Sequence, residues 1–368
     1  MGPLAGVRVV DMSQMISGPF AATWLADQGA DVVKVEDRAG DPARTLGPRK
    51  GDMSAVFFSV NRGKRGLIAD LKSSEGKAAV WAEIEQADVL LQNFRPGVAE
   101  RLGFGYEVVA ARCPRLVYCS ISGFGPTGPR VATRAYDSIV QALAGFAACQ
   151  DGPSGEPELV RSYVCDKVTS LTAAQAITAA LFARARTGGG QHVEINMLDS
   201  ALAFIWPEGM WNHAFMTDPP PASPEVSTGY RLWRTKDGHM SLGALQQVEF
   251  ANMCRAIGAP EIAGDPRFAN VAQRLAHRNE LRELLEARVA CWTTAELDAR
   301  MAQEDAPGAR VNSRADLLSD PQTLHNEAIV EIEADDIGRV RGPRHPARFS
   351  ATPVAPRPRP APRLRTRM

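Results

Sequence analysis

The chain has 368 residues, 45% of them hydrophobic and 23% charged, the proportions of an ordinary globular protein with core enough for one large domain or two smaller ones. Its 42 basic and 42 acidic residues cancel, so no global field favours nucleic acid or an anionic membrane surface. Six scattered cysteines without CxxC pairs and six dispersed histidines predict reduced thiols in a cytoplasmic protein, and no metal site.

The N-terminal stretch MGPLAGVRVVDMSQ lacks a basic region followed by an apolar one, so it does not read as a signal peptide. No window holds 18 consecutive apolar residues, which argues against a membrane span. Residues 7–12 read as a strand, Gly18-Pro19 as a break, 20–28 as a helix and 31–36 as a second strand. Short strands are then expected at 66–71, 88–92 and 115–121, with a helix over 74–86. This alternation predicts a parallel sheet with helices on its faces. A long helix is expected over 170–184, ended by Thr187-Gly188-Gly189-Gly190, then a strand at 191–195 and a helix from Met197. The run Asp218 to Pro224 reads as a linker. Beyond it, 229–243 predicts a hairpin turned at Lys236-Asp237-Gly238, followed by helical segments through Ala302, an α+β insert. From about Pro343 the chain is rich in Pro and Arg and has no period.

Gly123-Phe-Gly-Pro-Thr-Gly128 fits the spacing of a dinucleotide fingerprint. Pro126 and Pro129 flank its third glycine, however, and no apolar helical stripe follows, so a nicotinamide or flavin site is not expected. Neither a P-loop nor a GxSxG nucleophile motif is present. Asp166 stands out as a carboxylate at the mouth of an apolar helix. On the residues alone it is either a helix cap, worth about 1 kcal/mol, or a reactive group.

Several segments in order resemble the class III CoA-transferase family, which includes formyl-CoA:oxalate, carnitine and bile-acid CoA-transferases and the related alpha-methylacyl-CoA racemases. They are Pro3 to Asp11, Ser17 to Ala21, Gly29 to Glu36, Asn61 to Arg65, Asn93 to Gly97, Ser122 to Pro129, Tyr136-Asp137, Arg186 to His192, and Asp199. The resemblance implies a Rossmann-like parallel-sheet α/β large domain over 1–200, a linker at 201–225, a smaller α+β domain over 226–320, and a return to the large domain over 321–368, assembled as an interlocked homodimer. It implies an enzyme acting on an acyl-CoA and a carboxylic acid, with coenzyme A as co-substrate, no tightly bound cofactor, and neither nucleic acid nor membrane as partner. Asp166 matches the family's nucleophile. Arg38, Asp70, Leu71, Lys72, Asn93, Phe94, Arg95, Arg101, Arg134, Ala135, Tyr136 and Asp137 match positions that bind CoA or substrate. Arg62, Lys64 and Arg65 could add charge near the phosphates or form a solvated basic turn.

The racemase branch has histidine where Tyr136 stands and glutamate where Gln246 stands, so its acid–base pair is incomplete here. A racemase-like enzyme and a non-catalytic acyl-CoA-binding homologue are the two alternatives. Four departures mark this chain. Asp37 intervenes between Glu36 and Arg38, and Ile16 replaces a glutamine of the formyl-CoA enzymes, which argues against oxalate as acceptor. Met240-Ser-Leu-Gly-Ala stands where some transferases carry a glycine-rich segment, and Arg365 to Met368 replaces the usual continuation of the near-terminal Ala361-Pro-Arg-Leu364.

Overall fold

The computed structural model describes residues 2–150, 155–334 and 337–354; the motif at Ala361 to Leu364 lies outside them. Two compact units divide the chain, one of residues 1–225 and 325–368, the other Val226–Leu324.

The first unit is built on six parallel strands. In chain order, β1 (Arg8–Asp11) is followed by α1 (Ser17–Asp27) and β2 (Asp31–Glu36). A small hairpin, β3 (Arg49–Lys50) with β4 (Met53–Ser54), leads to α2 (Ala55–Asn61) and β5 (Arg65–Ile68). Then come α3 (Ser74–Ile84), β6 (Val89–Gln92), α4 (Val98–Leu102), α5 (Tyr106–Arg112) and β7 (Val117–Ser122). The unit continues with α6 (Asp137–Leu143), α7 (Val164–Thr187), β8 (His192–Asn196) and α8 (Met197–Gly209). The sheet order is β5-β2-β1-β6-β7-β8, a doubly wound order that reverses between β1 and β6. Both faces are covered, which is why the strands read as near-continuous apolar runs. Val9, Val32, Leu91 and Ile121 face α1 and α7, while Val10, Val35, Leu90 and Tyr118 face the opposite layer with Val80 and Val109.

Helix α7 packs closely on α1 because both present small side chains: Ala173, Ala174 and Ala180 against Ala21, Ala22 and Ala26. Gly188, at φ 84°, ends α7 in the left-handed conformation that favours glycine. Two expectations are corrected here. Gly18-Pro19 is not a break but the first turn of α1, where a missing N–H costs no helical bond. Helix α7 begins at Val164, six residues before the expected start, so Asp166 lies inside its first turn.

The second unit holds a three-stranded antiparallel sheet of β9 (Trp233–Arg234), β10 (His239–Leu242) and β11 (Gly308–Arg310). The hairpin turns where expected, with the Thr235 N–H donating to the Gly238 carbonyl at 3.0 Å. Its helices are α9 (Gln247–Ala256), α10 (Pro260–Ala263), α11 (Val271–Ala276), α12 (Arg278–Val289) and α13 (Thr294–Gln303). Their apolar stripes close on Met240, Phe250, Leu285, Leu297 and Met301. Gln246 is the N-cap residue of α9, and the Glu249 carboxylate accepts the N–H groups of Leu245 and Gln246, each at 2.9 Å. The chain then returns to the first unit, where β12 (Ile329–Ala334) and β13 (Gly338–Pro343) form a hairpin over Phe57 and Phe58.

Candidate active site

Loops that follow parallel strands emerge at one edge of the sheet, and ligands of doubly wound folds bind there, beside the point where strand order reverses. All the candidate CoA-binding residues lie beyond such strand ends. Arg38 follows β2, and Asp70, Leu71 and Lys72 follow β5. Asn93, Phe94, Arg95 and, on α4, Arg101 follow β6; Arg134, Ala135, Tyr136 and Asp137 follow β7.

Their environments separate them. Arg38, Lys72, Arg95, Arg101 and Arg134 are exposed, and none is ion-paired among the described residues, unlike Arg44, Arg62, Arg65 and Arg184. Tyr136 is 58% exposed. Leu71 and Phe94 are half-buried against the core, Ala135 packs beside Phe124 and Val140, and Asp70 accepts the Lys72 N–H at 2.9 Å. Asn93 turns inward instead: its Oδ1 accepts the Gln14 N–H at 2.8 Å and its Nδ2 donates to the Gln14 carbonyl at 2.7 Å. Arg62 and Lys64 do not form a solvated basic turn. Both are buried, Arg62 paired with Asp27 and Lys64 with Asp11; Arg65 is exposed and holds Asp31 through two bonds, at 2.9 and 2.8 Å.

Asp166 is the third residue of α7 and half-buried. It does not cap its helix. The cap comes from another element: Asp137, buried at the start of α6, accepts the Asp166 N–H on Oδ1 at 3.0 Å, while its Oδ2 accepts from Gln141 Nε2 at 2.5 Å. Gln141 also ties down the segment before α7, donating to the Val160 and Ser162 carbonyls at 3.1 Å and accepting the Val160 N–H at 2.9 Å. The Ser170 hydroxyl, in α7, lies 2.7 Å from both the Ser17 and the Asp166 carbonyls, so the first turns of α1 and α7 are pinned side by side. Burial, and then the negative charge of Asp137, push the Asp166 carboxyl up to about 7; the Ser17 hydroxyl and N–H pull against that shift. The result is a carboxylate of raised basicity, held between two helix N-termini at the sheet's switch point. Sequence reasoning missed Ser17, Gln141 and Ser170, whose roles depend on contacts across the fold.

A cavity of about 220 Å3 opens over β6, β7 and β8, lined by Phe94, Arg95, Tyr106, Tyr118, Ser120 and His192. Within it Ser120 Oγ and His192 Nε2 are 2.8 Å apart, and His192 stacks on Tyr106 at 4.5 Å. A larger one, about 500 Å3, lies under the β12–β13 hairpin beside Arg62 and His345; Asp166 does not line it, and of the residues considered for CoA only Arg62 does.

Fold and site together define a doubly wound α/β protein with a half-buried carboxylate of raised pKa beside the first turn of α1, which follows β1. The family model for CoA-transferase family III matches residues 4–366, and the chain belongs to that family. It is therefore an enzyme of the CoA-transferase class, with a CoA thioester as co-substrate. Among its relatives, the succinate–glutarate CoA-transferase of Agrobacterium fabrum is 35% identical over 98% of this chain and 93% of its own length. The acetyl-CoA:oxalate CoA-transferase of Acetobacter aceti is 36% identical over 95% of this chain and 90% of its own. The crystal structure of a CAIB/BAIF family protein from Brucella suis superimposes with a TM-score of 0.86, at 33% identity, over 99% of this chain and 96% of that one.

Proposed function

We propose that the protein moves CoA from an acyl-CoA to a carboxylic acid through covalent intermediates on Asp166. The observation that carries this reading is the position of Asp166: a carboxylate whose basicity is raised by burial and by Asp137, set against Ser17 at the start of α1. Ionised Asp166 attacks the thioester carbonyl and expels CoA thiolate, forming a mixed anhydride. The thiolate then attacks the aspartyl carbonyl, releasing the first acid and leaving an aspartyl-CoA thioester. The incoming carboxylate attacks that thioester, a second anhydride forms, and thiolate attack on its acyl carbonyl releases the new acyl-CoA and regenerates Asp166. Each covalent form is neutral at this position, so acylation relieves the repulsion with Asp137 that ionisation builds. The Ser17 N–H and hydroxyl favour the ionised carboxylate, the form that attacks.

Arg38, Lys72, Arg95, Arg101 and Arg134 are the cations available to the CoA phosphates, with Leu71 and Phe94 offering an apolar slot for the adenine. Tyr136, exposed at the start of α6 one residue before the cap of α7, contributes to the acyl site. Two of the relatives are named for dicarboxylates, which supports a dicarboxylic acid as at least one of the two acids exchanged. Ile16 argues against oxalate as the acceptor. The enzyme works as an interlocked homodimer in the cytoplasm; exposed Leu171 and Phe182 on α7, with Phe204 and Trp206 on α8, supply apolar surface for a partner copy.

Hydroxylamine added during incubation with succinyl-CoA should convert Asp166 to its hydroxamate, read by peptide mass spectrometry. Asp166→Asn should lower CoA exchange by at least roughly 10⁴-fold. An unmodified Asp166 in a protein that is turning over would contradict the proposal.

A further inference from the structure

The loop between β1 and α1 carries Ser17 to Asp166, and it is held from below by a buried set of charges that the transfer chemistry does not itself use. Lys34 and Lys64 are 2% and 3% exposed. Lys34 Nζ donates to the Ser13 carbonyl and, at 2.9 Å, to Asp41 Oδ2. Asp41 in turn accepts the Met15 N–H on Oδ1 at 3.0 Å. Lys64 Nζ lies 2.8 Å from Asp11 Oδ2, 2.7 Å from the Pro19 carbonyl, 3.1 Å from that of Val60 and 2.8 Å from Asn61 Oδ1. Asp11 Oδ1 accepts both the N–H and the hydroxyl of Ser13. Beside Asp41, Glu36 accepts the Asp41 N–H at 2.9 Å and holds Arg44 through two bonds, at 2.8 and 2.7 Å. Three cations and three carboxylates thus balance around one short loop.

What they hold is not a relaxed conformation. Met15 has φ 68°, in the left-handed region that non-glycine residues rarely enter, and its N–H is the one bound by Asp41. Gly18 sits so close beneath that an added Cβ would lie 2.3 Å from Ser13 Cβ. Ser13 and Met15 are gripped on one side of the loop by this cluster and Gln14 on the other by Asn93. Pro19, in the first turn of α1, is gripped by Lys64. The end of the strap is Ser17, whose carbonyl Ser170 joins to that of Asp166.

We propose that Lys34 and Lys64 are positioning residues for the transfer reaction: through Ser13, Met15 and Pro19 they fix the β1–α1 loop, and hence the Ser17 N–H and hydroxyl, against Asp166. The inference rests on the reading of Asp166 as the nucleophile. Neither lysine touches substrate; each acts by keeping a catalytic hydrogen-bond donor in place, where small misplacement is costly to rate.

The test uses charge-neutral double variants, because removing one partner alone would strand a buried charge. In Lys34→Met/Asp41→Asn the amide oxygen still accepts the Met15 N–H, while the tie to Ser13 is lost. In Lys64→Met/Asp11→Asn the tie to Pro19 is lost. Single-turnover acylation of Asp166 by succinyl-CoA, trapped with hydroxylamine, should slow at least roughly 10-fold in each. Its acidic limb should move to higher pH as the support of Ser17 weakens, with KM for the thioester little changed. Wild-type rate and an unshifted limb in a folded double variant would overturn the positioning role. Native-state hydrogen exchange on the unmodified enzyme tests the same claim without a variant: the Ser13, Gln14 and Met15 amides should be as protected as those of β1. Exchange at the rate of an open loop would overturn it. Failure to trap Asp166 in the unmodified enzyme would instead sink the nucleophile reading and this inference with it.

Discussion

Asp166 shows how one residue's environment sets both its chemistry and its cost. Burial and Asp137 raise its carboxyl from an ordinary 3.8 to about 7. The ionised form attacks, so acylation should speed up as pH rises through about 7. Replacing Asp137 by asparagine removes the neighbouring charge, lowers the Asp166 pKa and should carry the limb of the pH–rate profile to lower pH. A limb that stays put would show that Asp137 does not tune the nucleophile. Stability should carry the opposite sign. A carboxyl held more tightly protonated in the folded than in the unfolded chain stabilises the fold below pH 4. That contribution fades as pH rises toward 7, and above it the buried anion works against folding, on the order of a few kcal/mol at most. Asp166→Asn should therefore raise the melting temperature at pH 8 and not at pH 4. An equal effect at both values would contradict the assigned shift.

At the scale of elements, the strands of the sheet were legible because their apolar runs are short, bounded by turns and buried on both faces. The start of α7 was not. A helix usually announces itself by a local Ser, Thr, Asp or Asn cap, and the cap of α7 comes from Asp137, 29 residues earlier. Asp166 was singled out by sequence, but as a residue in front of a helix rather than inside one. Ser17 was missed, and the role of Lys64 left open, for the same reason. Gly18-Pro19 looks like a break, and Arg62 to Arg65 like phosphate ligands or a surface turn, because the partners Ser170, Asp27 and Asp11 are distant in the chain. Asp137→Ala should cost about 1 to 2 kcal/mol in urea unfolding, with Asp137→Asn recovering most of it. Equal losses would mean that the N–H bond to Asp166 is not what Asp137 contributes. Gly18→Ala should be worse than either for activity, since its methyl group must displace Ser13.

Across the whole molecule, alternation of strands and helices gave the parallel sheet, and the turn at Lys236 to Gly238 marked the antiparallel insert. Strand order is a property of crossovers and not of any local pattern, so the switch point between β1 and β6 had to be seen. That order explains why residues as distant as Arg38, Lys72, Arg95 and Arg134 share one edge of the sheet. The α7 and α8 surfaces bear on assembly. Phe182 is 66% exposed, and a homodimer that covers this face should lose subunit affinity in Phe182→Asp, measured by sedimentation velocity. An unchanged dimer would place the subunit contact elsewhere. The central claim, that Asp166 itself carries the acyl group, is tested most directly with oxygen. When an acceptor acid labelled with 18O in its carboxylate attacks the aspartyl thioester, its oxygen becomes the bridge of the second anhydride and stays on Asp166 once the new acyl-CoA departs. After a single turnover with labelled succinate and a different acyl-CoA as donor, the peptide containing Asp166 should gain about 2 Da, localised to that side chain. Turnover that leaves Asp166 unlabelled would contradict the account.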